Sequence, residues 1–258
     1  MAGNGQEGGR NLLLTLRFDG SAFHGSAVQK NAPTVQGALQ QALQQVFGEA
    51  TDVKCASRTD AGVHARAFCV SFHTKSAIPC ERLIEALNAY LPPEAAVYDC
   101  REVPPDFHAR YSCLGKRYRY RILNSRIRDP FLLSTAFRIP YRLDWEIMDK
   151  AARAFLGTHD FSAFCSAGGS VQDRRRTIFL SRVWREGEQI LFETGGDGFL
   201  YNMVRIITGT LIEIGAGKRM PESIPQALQA GDRSLAGFTA PAAGLCLEQV
   251  YYEVPARL

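Results

Sequence analysis

Hydrophobic and polar positions along this chain follow two periods, and each marks out a set of elements. Residues 11–18 (NLLLTLRF) form a short apolar run that predicts a strand. Val35, Ala38, Leu39, Ala42, Leu43, Val46 and Phe47 recur at helical spacing, which predicts a helix opened by Thr34 as N-cap. Strands are expected at 52–56 and 67–73, then a helix over 80–90 stopped by Pro92-Pro93, then a strand at 97–103. Strand, helix, two strands, helix, strand is the order of a split βαβ, ferredoxin-like unit.

Pro104-Pro105 punctuates the chain, and a second series follows. A strand is expected at 116–123, a helix at 144–156, strands at 177–185 and 190–193, and a helix at 200–214. In that last helix Leu200, Val204, Ile207, Leu211 and Ile214 make one apolar stripe. A short helix at 221–230 and a strand at 246–254 complete the series. The pattern thus divides into a flexible start (1–10), a first half (11–104) and a second half (105–258) that repeats the element order with insertions.

The composition, 46% hydrophobic and 22% charged over 258 residues, is that of a globular protein able to bury a sizeable core. The apolar stretch at 200–214 is broken by Arg205 and Glu213 and cannot span a bilayer unaided, so no membrane association is expected. The 7 cysteines are dispersed with no C-x-x-C pair, which points to reduced thiols in the cytoplasm and to no metal site.

The net charge of +4 says less than its distribution. Between Asp106 and Asp129 there is no acid, but there are seven cations: Arg110, Lys116, Arg117, Arg119, Arg121, Arg126 and Arg128. Between Asp173 and Glu186 lie Arg174, Arg175, Arg176, Arg182 and Arg185, again with no acid. A single such run usually marks a solvated face; two, one of them interleaved with aromatics, favour a polyanionic partner. In KRYRYRI, period two places Arg117, Arg119 and Arg121 on one face and Tyr118, Tyr120 and Ile122 on the other. Cations can then meet phosphates while a tyrosine stacks on a base. Tyr120 is expected in the core, and Tyr118 is open to either role.

Several motifs fail on chemistry. Gly20 and Gly25 have P-loop separation, but Ser26 stands where the lysine should be. Asp60 and His64 are four apart, yet Gly62 lies between them and no third ligand is near. His24, His73, His108 and His159 read as structural, and Ser57 has no evident base.

There remains SRTDAGVHARAF (57–68), where Arg58 and Asp60 crowd one short loop. On spacing alone this is a surface ion pair of small value. The stretch RTDAGVHA, however, closely resembles the signature of the TruA family of tRNA pseudouridine synthases. FDGSAFHG, TVQGAL, NAYLP, DFHARYS, KRYRYRI, HDFSAF, FLYNMVRII and AGLCL resemble its other motifs, in order, over nearly the whole chain.

The resemblance implies an α+β fold of two ferredoxin-like halves sharing a continuous antiparallel sheet flanked by helices. It implies a homodimer whose basic clefts take tRNA, and a cofactor-free isomerase acting on uridines 38, 39 and 40 of the anticodon arm. Asp60 would be the catalytic aspartate, acting on C1′ of the uridine or assisting departure of its base. Arg58 would hold the flipped nucleotide or fill its place, Tyr118 would pack on the uracil, Arg205 would pair with the aspartate, and Leu245 would line the pocket. A single loop carboxylate disfavours a glycoside hydrolase, which needs two. A mere RNA-binding module would have no use for Asp60, Tyr118 and Arg205 together. One departure stands out: the family has Trp-Gln after the glycine of its first motif, whereas Gly25 is followed here by Ser26-Ala27.

Overall fold

A computed structural model describes residues 9–168 and 171–253; the expected flexible start lies, through residue 8, outside the described residues. The chain divides into two compact units, Met1–Cys113 and Leu114–Leu258. The segment after Pro104-Pro105 stays with the first unit because it is tied back to it. The Asn11 side-chain amide donates to the carbonyls of Pro104 and Phe107, and the Ala109 N–H donates to Ser71 Oγ.

The first unit runs β1 (Arg10–Phe18), α1 (Val35–Phe47), β2 (Lys54–Cys55), β3 (His64–Thr74), α2 (Cys80–Asn88) and β4 (Ala95–Val103). Its antiparallel sheet has the order β4-β1-β3, with β2 on β3, which is the ferredoxin-like order. As a central strand β1 is buried on both faces, so Leu12, Leu13 and Leu14 can follow one another. Thr34 caps α1 as expected, its hydroxyl accepting the Gly37 N–H at 3.2 Å, and Leu39 and Leu43 bury the helix's inner face. The helix expected to reach Tyr90 ends at Asn88, whose side chain turns away to bond both backbone groups of Val97 at 2.8 Å. The strand expected at 52–56 is reduced to two residues, while β3 starts earlier than expected, at His64.

The second unit runs β5 (Gly115–Leu123), β6 (Phe137–Arg138), α3 (Trp145–Ala152), β7 (Gly157–Asp160), β8 (Arg175–Glu186), β9 (Gln189–Gly196), α4 (Met203–Gly215), α5 (Ser223–Ala230) and β10 (Leu245–Tyr251). Its sheet has the order β10-β5-β9-β8-β7, with β6 parallel beside the end of β5. Leaving out β6 and β7, the order last-first-third-second of the first unit recurs. The fold is therefore α+β, as expected. The helix anticipated from 200 begins instead at Met203, because Asn202 is left-handed (φ 60°) and breaks the turn before it. Nor is α4 buried along one stripe only. Ile206, Thr208, Thr210 and Ile212 are buried too, and the two threonine hydroxyls bond the carbonyls of Val204 and Ile206. The strand expected to reach Val254 ends at Tyr251, and Val254 lies outside the described residues. No helix among the described residues is long and apolar enough to cross a membrane.

Candidate active site

In the first unit, the side chains alternate in burial from Ser57 to Asp60, in the segment between β2 and β3. Ser57 and Thr59 are buried, Arg58 is exposed and Asp60 is half-buried. The crowding of an arginine and an aspartate two residues apart follows from that alternation, which keeps both on the less buried side of the loop.

The loop is held from behind by residues 19–26. The Ser26 N–H donates to the Thr59 carbonyl at 3.0 Å, and the Thr59 N–H donates to Ser26 Oγ at 2.7 Å. The Gly20 N–H donates to His64 Nδ1 at 3.0 Å, and the same nitrogen lies 3.1 Å from Asp19 Oδ1. Two glycines are required by this contact. A Cβ on Gly20 would stand 2.1 Å from the Val63 carbonyl oxygen, and Gly25, at φ +92°, would place one 2.8 Å from that of Thr59. FDGSAFHG and RTDAGVHA are thus two sides of one structure. His64, set aside as a metal ligand, begins β3 and fastens the first motif to the second.

In the second unit, Tyr118, Tyr120 and Ile122 are buried on one face of β5, as period two predicts. Tyr118 is 7% exposed and meets Phe199 edge-on, with ring centroids 5.1 Å apart. Tyr120 is wholly buried, its hydroxyl donating to the Pro241 carbonyl at 2.7 Å. Burial pushes its phenol well above the usual range, against the pull of the Arg205 charge. Leu245 is opposite Tyr120 in the β10–β5 ladder and is buried with it. Arg205, in the first turn of α4, donates from Nε to the Ala240 carbonyl at 2.7 Å and from Nη1 to Asn202 Oδ1 at 2.8 Å. Asn202 is held in turn by Ser166, its Nδ2 donating to the hydroxyl at 3.0 Å. Tyr120, Arg205 and Leu245 therefore gather at one end of this unit's sheet, with Tyr118 two residues along the same face.

The other face of β5 corrects an expectation. Arg117 and Arg119 are not simply presented to phosphates, because Glu193 of β9, fully buried, claims them. Its carboxylate lies 2.9 Å from Arg119 Nη2, 3.5 Å from Arg117 Nη1 and 2.6 Å from Arg182 Nη2. Trp184 lies beneath the guanidiniums of Arg119 and Arg182. Burial alone would push the Glu193 carboxyl up, but hydrogen bonds from Arg119 and Arg182 and the charge of Arg117 hold it below its ordinary value. Glu193 carried no expectation in the sequence, and Ser26 only that of a departure from the first motif. A lone acid within the apolar run ILFETGG was a usable signal for the first.

Similarity to known proteins spans both units. A family profile described as tRNA pseudouridine synthase matches residues 15–112 and 151–253. The tRNA pseudouridine synthase A of Acetivibrio thermocellus is 48% identical over 243 residues, covering 94% of this chain and 100% of that protein. Its counterpart from Halalkalibacterium halodurans is 48% identical over 237 residues, covering 92% and 90%. That of Moorella thermoacetica is 47% identical over 243 residues, covering 93% and 99%. Relatives so similar along nearly their full lengths, matching on both sides of the Asp60 loop and through the elements that carry Arg205 and Leu245, make this chain a member of the tRNA pseudouridine synthase family of isomerases.

Proposed function

We propose that this protein converts uridine to pseudouridine in the anticodon stem-loop of tRNAs, at positions 38, 39 and 40, with Asp60 as the catalytic residue. The N1–C1′ bond of the uridine breaks, the uracil turns, and C5 bonds to C1′. The hydrogen lost from C5 is balanced by one gained at N1, so substrate and product are isomers and no co-reactant is consumed. Positive charge gathers on the ribose as the first bond breaks, and a fixed carboxylate stabilises it or bonds to C1′ directly.

The observation that carries this reading is the alternation of the 57–60 loop. It leaves Arg58 exposed and Asp60 half-buried while Ser57 and Thr59 turn inward and the Thr59 backbone is held by Ser26, in a chain of this family. Arg58, exposed, is assigned to the displaced nucleotide, since a base cannot react while stacked in a helix. Tyr118, Arg205 and Leu245 are assigned to binding the uridine. We further read the protein as a cytoplasmic homodimer. Its cysteines are free thiols, and Ile127, Phe131 and Leu133 stand 79%, 92% and 66% exposed in one short segment.

The test is base-resolution mapping of pseudouridine in unmodified tRNA transcripts incubated with the protein and with Asp60→Asn. The parent is expected to modify positions 38–40. The near-isosteric variant should fold, bind tRNA at least as tightly and form no product. Parent-like turnover by Asp60→Asn would remove Asp60 from the mechanism.

A further inference from the structure

We infer that Ser26 is a positioning residue for the catalytic loop, its hydroxyl holding the Arg58–Thr59 peptide and its backbone N–H the Thr59–Asp60 peptide. The inference rests on the reading of Asp60 given above.

Ser26 is 1% exposed and bonded on three sides. Its N–H donates to the Thr59 carbonyl at 3.0 Å, its Oγ accepts the Thr59 N–H at 2.7 Å, and its own carbonyl accepts the Gln36 N–H at 2.9 Å. Gln36 lies in the first turn of α1, where Val35 also donates, to the Gly25 carbonyl at 3.3 Å. A continuous series of hydrogen bonds thus runs from the first turn of a 13-residue helix through Ser26 to Thr59, one residue from Asp60. With both polar groups of Thr59's backbone held, little more than the torsions between Thr59 and Asp60 remains to set where the carboxylate points.

The device is specific to a small residue with an acceptor oxygen. The Ser26 and Thr59 backbones could meet through Ser26 N–H alone, but the Thr59 N–H would then be buried with no acceptor. A side chain with only a donor, such as an indole, could not replace the hydroxyl. A buried hydroxyl thus anchors the loop in this chain. Misplacement of a catalytic group by about 1 Å costs on the order of 100-fold in rate. The loss should fall on chemistry, because Ser26 is buried and offers RNA nothing to touch.

The test compares Ser26→Ala, Ser26→Thr and Ser26→Val with the parent and with Asp60→Asn. Each protein is assayed for melting temperature, tRNA Kd, and the single-turnover rate of pseudouridine formation at saturating enzyme. Thr and Val have the same shape, so this pair isolates the oxygen and decides the matter even where Ser26→Ala does not fold. Expected are a rate loss of about 10- to 100-fold for Ala and Val with Kd changed less than about threefold, and a Thr variant faster than Val by about 10-fold or more. Equal rates for Thr and Val, a parent-like rate for folded Ala, or a loss confined to Kd would each overturn the inference. An active Asp60→Asn would instead overturn the reading of Asp60; an inactive Asp60→Asn beside a parent-like Ser26→Ala would remove only the role of Ser26.

Discussion

Tyr118 is asked to do two things, and different substitutions separate them. Tyr118→Phe keeps the ring against Phe199 and removes only the hydroxyl. If that hydroxyl handles a proton as the uracil changes its bond, tRNA affinity should hold while turnover falls about 100-fold or more. Tyr118→Leu should also weaken tRNA binding through lost stacking, and should lower the melting temperature by emptying part of a buried site. Single-turnover rates and filter-binding Kd values read both effects, and parent-like values for both variants would leave Tyr118 a core residue only. Gly20→Ala tests the loop's backing. Its new methyl meets a backbone carbonyl at 2.1 Å, and no flexible side chain can move away. A stability loss of about 1–3 kcal/mol is expected, read as a fall of several degrees in a thermal melt.

At the scale of elements, β5, β8 and β9 share one buried carboxylate. Glu193 lies between guanidiniums from β5 and β8, so it secures the charged face of three neighbouring strands. The carboxyl is held below its ordinary 4.5 in the folded protein, so its contribution is present above about pH 4.5 and is lost as pH falls through the lower, folded value. Glu193→Gln should cost about 1–3 kcal/mol at pH 7, discounted for the partial exposure of the arginines. That difference should shrink in acid below pH 4.5, where the parent's carboxyl takes up its proton. Urea denaturation of both proteins at pH 7 and in acid checks this; a constant difference would mean that packing, and not charge, is what Glu193 supplies.

At the scale of the whole molecule, the basic windows divide once the chain is folded. Arg117, Arg119 and Arg182 are engaged by Glu193, while Arg110, Arg126, Arg128, Arg174, Arg175 and Arg185 remain exposed. The exposed set is what a tRNA backbone can reach, and its binding should weaken steeply with salt as counterions are released. Arg176 is partly spent on the carbonyl of Asp173, and the charges of Arg174 and Arg175 act on Asp160. Replacing Arg174, Arg175 and Arg176 by Ala should therefore flatten the log Kd versus log salt slope by about 1–2, somewhat less than three full phosphate contacts. An unchanged slope would make this cluster solvated surface.

What the sequence determined by itself is what is local. Period two and period 3.6 report which side of an element is apolar, so the α1 stripe, the two faces of KRYRYRI and the order of the longer elements in both units were legible, as was the signature around Asp60. Elements too short to show a period were not: β6 has two residues and β7 has four. Nor was the onset of α4, where a left-handed Asn202 interrupts an apolar pattern that continues through it. The tertiary structure decided the pairings. The acid-free windows are acid-free only along the chain, for Glu193 reaches Arg119 from 74 residues away. The hydroxyl that holds Thr59 comes from 33 residues upstream, in a motif that reads as defective when taken alone. A buried charge or amide must find a partner wherever the fold brings one, and sequence periodicity carries no record of that distance.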